Sequence, residues 1–332
     1  MTHRHYCTYF DHRYLPLGLA LHESLVQYGG GFTLWVLALD GECARFLETA
    51  ALSNVRVVPL SVLEAFDVEL KNVEQTRSRV EYYFTCSPCL PRYLMREHHL
   101  PEVTYLDSDL WFFASPEAVF DELGAGSVAI VPHRFTAASA VSHARHGQYN
   151  VGWLTFRADA RGISCLEWWR ARCIEWCFDR VEAGRYADQK YLDRFSELFD
   201  GVVSITQHGA NLAPWNVGAS DVTIHQGRVQ VDGQPLVFFH FQGLRRVTPT
   251  RYDSNLTSYG ARMTPTLRSA VFVPYIAALQ RAEAFVLPRL AQAVGAHSLR
   301  RTHLRQWQLR GSRAWRTLRA YVAGNIVVSP PP

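Results

Sequence analysis

The sequence predicts an α/β protein in which a mixed sheet is flanked by helices, and three observations carry that reading. The N-terminal stretch alternates strand and helix: Tyr6–Phe10, Leu15–Tyr28, Phe32–Leu39, Cys43–Leu52 and Val55–Val58. That order is the signature of a doubly wound sheet. Phe32–Leu39 is a continuous apolar run, as a central parallel strand requires when both faces are covered. Val103 to Phe113 is apolar and β-favouring, and two carboxylates, Asp107 and Asp109, interrupt it. It reads as a buried strand delivering both acids at its C-terminal end, where open α/β sheets bind ligands.

The first helix, from Leu15 to Tyr28, carries Leu17, Leu21, Leu25 and Val26 roughly on one face and stops at Gly29-Gly30-Gly31. Residues 61–78 read as loop and short helix. A helix over Tyr82–His98 should be interrupted near Pro88 and Pro91. Ser127–Val131 and Tyr149–Phe156 read as further strands. Cys165–Glu182 reads as an amphipathic helix with Trp168, Trp169, Trp176 and Phe178, and Arg185–Asp193 as a shorter one. Val222–Val231 and Leu236–Phe241 read as a hairpin around Asp232-Gly233. From Pro265 onward the pattern is helical and increasingly basic.

A chain of 332 residues suits one large domain with an appendage or two modest domains. The reading places a domain over 1–262 and a helical, Arg-rich tail over 263–332. Lys71 and Lys190 are the only lysines, so the net charge of +4 is an arginine charge. No acidic residue follows Glu283, whereas Arg289, Arg300, Arg301, Arg305, Arg310, Arg313, Arg316 and Arg319 do. Seven scattered cysteines, an odd number, do not form a disulfide framework. Cys86-Ser87-Pro88-Cys89 has CxxC spacing without the second pair that zinc needs. The N-terminus has no signal-peptide core. The longest apolar candidate, Ala270–Leu279, is short and contains Pro274, well below the ~20 residues that span a bilayer. A cytoplasmic protein is the expectation.

Asp107 and Asp109 are i and i+2 in a strand and share a face. Two adjacent acids without a counter-charge would repel, and a divalent cation removes that problem. The alternative is a strand-end turn with solvated aspartates. His240 ends a second apolar run, Val237-Phe238-Phe239-His240, and is either a satisfied core histidine or a third ligand. With the two acids it makes a mixed N/O set suited to Mn²⁺ rather than Ca²⁺. Gly243 would let backbone approach a phosphate, with Arg245 or Arg246 behind it; the alternative for both arginines is a solvated turn. Asn150 and Gly152, and the pair Asp188 and Gln189, set polar groups against apolar neighbours. They suit hydrogen bonds to a polar ligand, although Asp188 equally suits a helix N-cap.

Taken in order, these segments resemble glycosyltransferase family 8, the glycogenin and lipopolysaccharide-galactosyltransferase type, with its GT-A fold. Cys7-Thr8-Tyr9-Phe10-Asp11 through Tyr14-Leu15 resembles the family's nucleotide-binding first strand and turn. Tyr105-Leu106-Asp107-Ser108-Asp109 resembles its metal-binding Asp-x-Asp. Tyr149-Asn150-Val151-Gly152 is similar to its sugar-binding strand, and Ala187-Asp188-Gln189 to its motif beside the donor sugar. His240-Phe241-Gln242-Gly243 with Arg246 resembles its His-x-x-Gly-x-x-Lys, with arginine in place of lysine. The likeness covers about residues 5–250.

The resemblance implies a metal-dependent hexosyltransferase that moves a sugar from a nucleoside diphosphate-sugar, a UDP-sugar, to a saccharide or lipid-linked glycan, with retention. Asp107, Asp109 and His240 would hold Mn²⁺ or Mg²⁺. Thr8, Asp11, Tyr14, Ser108, Asn150, Gly152, Gly243 and Arg245 would contact the donor, and Asp188, Gln189 and Arg246 would serve catalysis. The family's donor-phosphate arginine has no clear match; Arg79 and Arg92 are the candidates. Residues 196–236 follow no family pattern, and Asn211 to Asn216 are expected to shape an acceptor pocket. An inverting enzyme with Asp188 as base, or an inactive nucleotide-sugar-binding module, are the alternatives. A nucleotidyltransferase is disfavoured, since Phe10-Asp11-His12-Arg13 is not a Gly-rich phosphate loop.

Between Ser298 and Val322, arginines interleave with Leu299, Leu304, Trp307, Leu309, Trp315, Leu318 and Tyr321. Such a segment reads as a membrane-surface helix on an anionic bilayer, as a packed terminal helix, or as a nucleic-acid-binding arm. The first is preferred and no nucleic acid is expected, which places the protein peripherally on the inner face of the cell membrane.

Overall fold

The computed structural model describes residues 2–182, 184–294 and 310–329. The chain opens with β1 (Arg4–Phe10), α1 (Leu15–Tyr28), β2 (Phe32–Ala38), α2 (Gly41–Ala50) and β3 (Val55–Pro59). This is the predicted alternation. Pro16 sits in the first turn of α1, where its missing N–H costs nothing. Asp40 caps α2 by accepting from the Cys43 N–H at 2.8 Å. Gly18 is required for packing: a Cβ there would lie 2.2 Å from the Phe10 ring.

Next come α3 (Leu60–Phe66), α4 (Val68–Val73), α5 (Arg79–Glu97), β4 (Glu102–Leu106) and β5 (Leu110–Phe112). They are followed by α6 (Glu117–Leu123), β6 (Val128–Pro132), α7 (Ala140–His146), β7 (Tyr149–Arg157), α8 (Ala160–Glu175), α9 (Phe195–Leu198) and β8 (Val202–Ser204). The main sheet has the order β3-β2-β1-β4-β7-β6-β8. Only β7 runs against the others. The order reverses between β1 and β4, so the crevice at a topological switch point opens beyond Phe10 and Leu106.

Three expectations are corrected here. Helix α5 is continuous through Pro88 and Pro91. A helix-interior proline costs about 3 kcal/mol, but every residue from Thr85 to Pro91 is buried in the core shared with α8 and β4. That burial outweighs the two missing hydrogen bonds. Helix α8 is shifted, beginning at the Asp159 N-cap and ending at Glu175 rather than Glu182. Arg77 donates to the carbonyls of Ile174 and Glu175, closing the helix end, and Trp176 continues extended into the core. The segment after Arg185 is not helical until the 3₁₀ turn Lys190–Arg194.

The rest of the chain builds β9 (Val222–His225), β10 (Arg228–Val231), β11 (Gln234–Pro235), β12 (Phe238–His240), β13 (Arg245–Thr248) and β14 (Arg251–Asp253). A π-helical turn, Leu267–Phe272, enters α10 (Val273–Val294), and α11 (Arg310–Val322) and β15 (Ile326–Val328) follow. The predicted two-residue turn at Asp232-Gly233 joins β10 to β11, a second turn at Gln226-Gly227 divides the longer arm into β9 and β10, and β12 leaves this hairpin to pair with β5. β15 completes a three-stranded sheet with β14 and β13. The helix over Leu267–Leu290 is long and apolar enough to cross a membrane by length and composition. In this fold Val271, Phe272, Tyr275 and Ile276 face the core with Phe239 and Phe241. Of the tail positions, Arg300, Arg301, Arg305, Leu299, Leu304, Trp307 and Leu309 lie outside the described residues.

Candidate functional site

The two acids are not on one strand face. β4 ends at Leu106, and Asp107-Ser108-Asp109 is the turn into β5. The turn is pinned by backbone: Asp107 N–H donates to Gly152 O at 3.1 Å, and Phe241 N–H to Asp109 O at 3.0 Å. The antiparallel register of β5 with β12 sets His240 opposite Leu110, one residue from Asp109. His240 Nε2 therefore lies 3.0 Å from Asp109 Oδ1 and 3.6 Å from Asp107 Oδ2.

These three side chains bring one ligand atom each within 4.8 Å of one another. Ligands bound at ~2.1 Å in an octahedral shell stand about 3 Å apart, so the spacing suits a small hard cation. The second nitrogen supports the same tautomer. His240 Nδ1 lies 3.2 Å from Asn150 Oδ1. That oxygen also accepts from the Gly152 N–H, so Nδ1 must be the donor, and Nε2 presents its lone pair to the two acids. A lone pair facing two carboxylates needs a proton or a cation between them. Without a cation, burial works against the imidazolium, but Asp109 and Asp107 outweigh it and the pKa of His240 is raised. Burial also raises Asp107, helped by Asp109 and opposed by His240 and Tyr105. Gly152 makes the approach possible: a Cβ there would lie 2.5 Å from Asn150 Oδ1 and 2.9 Å from His240 Nδ1.

Three cavities meet at Tyr14 and Asp109. The first, of 320 Å³, is bounded by Asp11, Arg79, Tyr83, Phe84 and Ser108. Asp11 is buried and caps the turn His12–Tyr14, and its Oδ2 accepts from Arg13 at 2.6 Å and from Arg79 at 2.8 Å. Asp11, His12 and Asp40 also cluster, but those arginines already neutralise Asp11. Arg92 is elsewhere, bound to Glu167.

The second cavity, of 520 Å³, contains Asn150, Asp188, Gln189, His133 and Trp215. Gln189 Oε1 accepts from Asn150 Nδ2 at 3.1 Å, and Gln189 Nε2 donates to His146 O at 2.8 Å. Burial, with the charge of Asp107 added, pushes the Asp188 carboxyl up to about 7. Burial holds His133 neutral, its pKa lowered to about 3. Trp215 and Asn216 both donate to His133 O, which fixes the Asn211–Asn216 segment against this wall.

The third cavity, of 1140 Å³, runs from Asp109 and Gly243 past Arg245 and Arg246 to α10 and α11. Both arginines are committed: Arg245 to Asp253 and Thr317, Arg246 to Glu283 and the Tyr252 hydroxyl. They are not brought to Asp107 or His240. Gly243 has φ +73°, and Asn255 clamps its turn by donating to Gln242 O.

Thr8 is absent from all three walls. It is wholly buried, and alternation along β1 puts it on the face with Tyr6 and Phe10, towards α1. Tyr9, on the opposite face, borders the first two cavities. The period of two says that Thr8 and Tyr9 face opposite ways, but not which of the two faces borders the cavities. All seven cysteines are free and buried, Cys86 and Cys89 included.

No family model matches the chain. The fold is similar to that of LgtC galactosyltransferase solved with donor and acceptor sugar analogues, at TM-score 0.47 and 18% identity, over 77% of this chain and 92% of that one. It is also similar to mouse xyloside xylosyltransferase 1 in its apo form, at TM-score 0.46 and 13% identity, over 73% and 98%. Among sequences, it is 29% identical over 284 residues to the uncharacterized protein YfnD of Bacillus subtilis (strain 168), covering 85% of this chain and 90% of YfnD. It is 33% identical over 252 residues to the uncharacterized protein YfnF of the same organism, covering 73% of this chain and 82% of YfnF. The chain belongs to the family of YfnF.

Proposed function

We propose that this protein is a metal-dependent glycosyltransferase that takes a sugar from a UDP-sugar and adds it to a saccharide or lipid-linked glycan, with retention. The observation that carries the reading is the meeting of Asp107, Asp109 and His240 where the three cavities join. The first cavity suits a nucleoside: Tyr83 and Phe84 offer aromatic faces, and Arg79 and Arg13 offer donors. The second suits a hexose, with Asn150, Asp188 and Gln189 as hydrogen-bonding groups. Asp107, Asp109 and His240 would hold Mn²⁺ or Mg²⁺, which when bound neutralises a diphosphate and stabilises it as a leaving group.

Arg245 and Arg246 share their charge with Asp253 and Glu283, so their support to a departing diphosphate is partial. The third cavity is the acceptor's approach. Leu17, Leu244, Leu279 and Leu318 give it apolar walls, which suit a lipid-linked glycan. An inverting reaction is favoured by one observation: a carboxyl near pKa 7, as Asp188 has, is matched to general-base work. The anomeric configuration of the product, read by NMR, separates the two.

A thermal-shift series of nucleotide sugars with and without Mn²⁺ tests the reading. A UDP-sugar should raise the midpoint only with the metal present. If no nucleotide sugar stabilises the protein in either condition, the reading fails. Asp109→Asn should lower turnover at least about a hundredfold while the protein stays folded, and wild-type turnover in that variant would remove the metal from the reaction.

A further inference from the structure

The segment Asn211–Asn216 is built against the candidate cation site. Its backbone meets β12: the His240 N–H donates to Leu212 O at 2.8 Å, and Leu212 pairs in parallel with Phe239. Its Trp215 meets the His240 imidazole, the two ring centres lying 5.1 Å apart and the planes nearly perpendicular at 77°. Four buried side chains close a circuit here. His240 Nδ1 donates to Asn150 Oδ1 at 3.2 Å, and Asn150 Nδ2 donates to His133 Nε2 at 3.4 Å. The His133 carbonyl accepts from Trp215 Nε1 at 2.9 Å, and the Trp215 ring returns to His240.

The segment that carries Trp215 is itself tied down. Asn216 Nδ2 donates to His133 O at 2.8 Å and to Asn211 O at 2.9 Å, and Asn216 Oδ1 accepts from the Ala213 N–H at 2.8 Å. Trp215 O accepts from Ser139 Oγ at 3.0 Å. A single hydrogen bond at Nδ1 fixes where that nitrogen of His240 sits but leaves the ring free to tilt about it. A rigid ring packed nearly at right angles removes the tilt, and so fixes the direction of Nε2, the atom that faces Asp107 and Asp109. An aliphatic side chain would fill the space without holding the plane.

We infer that Trp215 is a positioning residue for the cation site, which holds the imidazole plane of His240 so that Nε2 meets the cation, and that Asn216 holds Trp215 in place. The inference rests on the metal-dependent reading above. Asn216 borders none of the three cavities, so its effect on a cation passes through Trp215 and His133.

The test uses full-length Trp215→Leu, Trp215→Phe and Asn216→Ala. Mn²⁺ affinity is measured by calorimetry with UDP saturating, and imidazole coordination to Mn²⁺ by electron spin-echo spectroscopy. Wild type should show coupling to one imidazole nitrogen. Trp215→Leu should lose about tenfold in Mn²⁺ affinity, the scale for a residue that orients a metal ligand, and its nitrogen coupling should weaken. Trp215→Phe, which keeps an aromatic ring beside His240, should recover most of both, and Asn216→Ala should shift affinity in the same direction as Trp215→Leu. Wild-type Mn²⁺ affinity in Trp215→Leu overturns the inference. So does lost affinity with unchanged nitrogen coupling, or a Trp215→Phe variant no better than Trp215→Leu. Should Trp215→Leu fail to fold, Asn216→Ala decides, since it leaves every cavity wall and metal ligand in place; wild-type affinity there overturns the inference. A wild-type protein that binds no Mn²⁺ removes the metal-dependent reading and this inference with it. Wild-type binding with unaffected variants removes this inference alone.

Discussion

The carboxyl of Asp188 is almost wholly enclosed, and burial together with the charge of Asp107 raises its pKa to about 7. An unfolded aspartate titrates near ~3.9. Because the folded group binds its proton more tightly, stability falls as pH rises from about 4 to about 7 and is level above. Asp188→Asn removes that loss. With EDTA present, the variant should gain on the order of 2–4 kcal/mol over wild type at pH 8, and about 1 kcal/mol or less near pH 4.5. Urea titrations at the two pH values measure this; an equal difference at both would show that Asp188 ionises freely. Turnover should be lost at either pH. Gly152 gives a second test, because a methyl group there displaces Asn150 and His240. Gly152→Ala should weaken Mn²⁺ binding about 10- to 100-fold, the range for an altered supporting contact, as read by calorimetry. Unchanged Mn²⁺ affinity would count against His240 as a ligand.

Helix α11 presents two different faces. Arg316 donates to Asp253 and to Gly243 O, and Ala320 is buried, so one side is docked on β13 and β14. On the other side Trp315 is 69% exposed and Val322 84%, with Leu318 and Arg319 also exposed. An apolar stripe bordered by arginine, at the mouth of the third cavity, is what a helix lying on an anionic bilayer needs. Trp315→Ser with Val322→Ser should cut binding to vesicles containing anionic lipid at least about tenfold, without changing the thermal midpoint. Equal sedimentation with vesicles would discard the membrane role. The sequence could show the basic and aromatic content of this helix but not which side is docked, since docking depends on Asp253 and Thr317 meeting Arg316 and Arg245. Helix α5 taught a similar lesson. Pro88 and Pro91 are local signals for a break, and only the tertiary burial of Thr85 to Pro91 overrides them.

Across the whole molecule, the N-terminal strands and helices were legible because each rests on local pattern and on caps such as Asp40. Asp107, Asp109 and His240 were legible as residue types, but not as a turn and a register, because β5 meets β12 only through distant pairing. Thr8 was misplaced against Tyr9 because a strand's period does not say which face the ligand will border. The small sheet β13-β14-β15 was not legible at all, since its third strand comes from the far end of the chain. That strand ties the terminus to the site: Asn325 donates to Thr257 and Ala261, and Arg268 to Ile326 O. Truncation after residue 309 should therefore lower the thermal midpoint by several degrees and expose Phe241 and Tyr252 to dye binding. A truncated protein with a wild-type midpoint would show that α11 and β15 are dispensable. The pairing of His240 with Asn150 spans 90 residues of sequence, and this has a meaning in time as well as space. Loop closure of that length is slow, and during synthesis the nascent chain exposes Asp107 and Asp109 long before their histidine emerges. The candidate cation site is thus a late event in folding, and a chain stalled before β12 would carry the acids without the histidine.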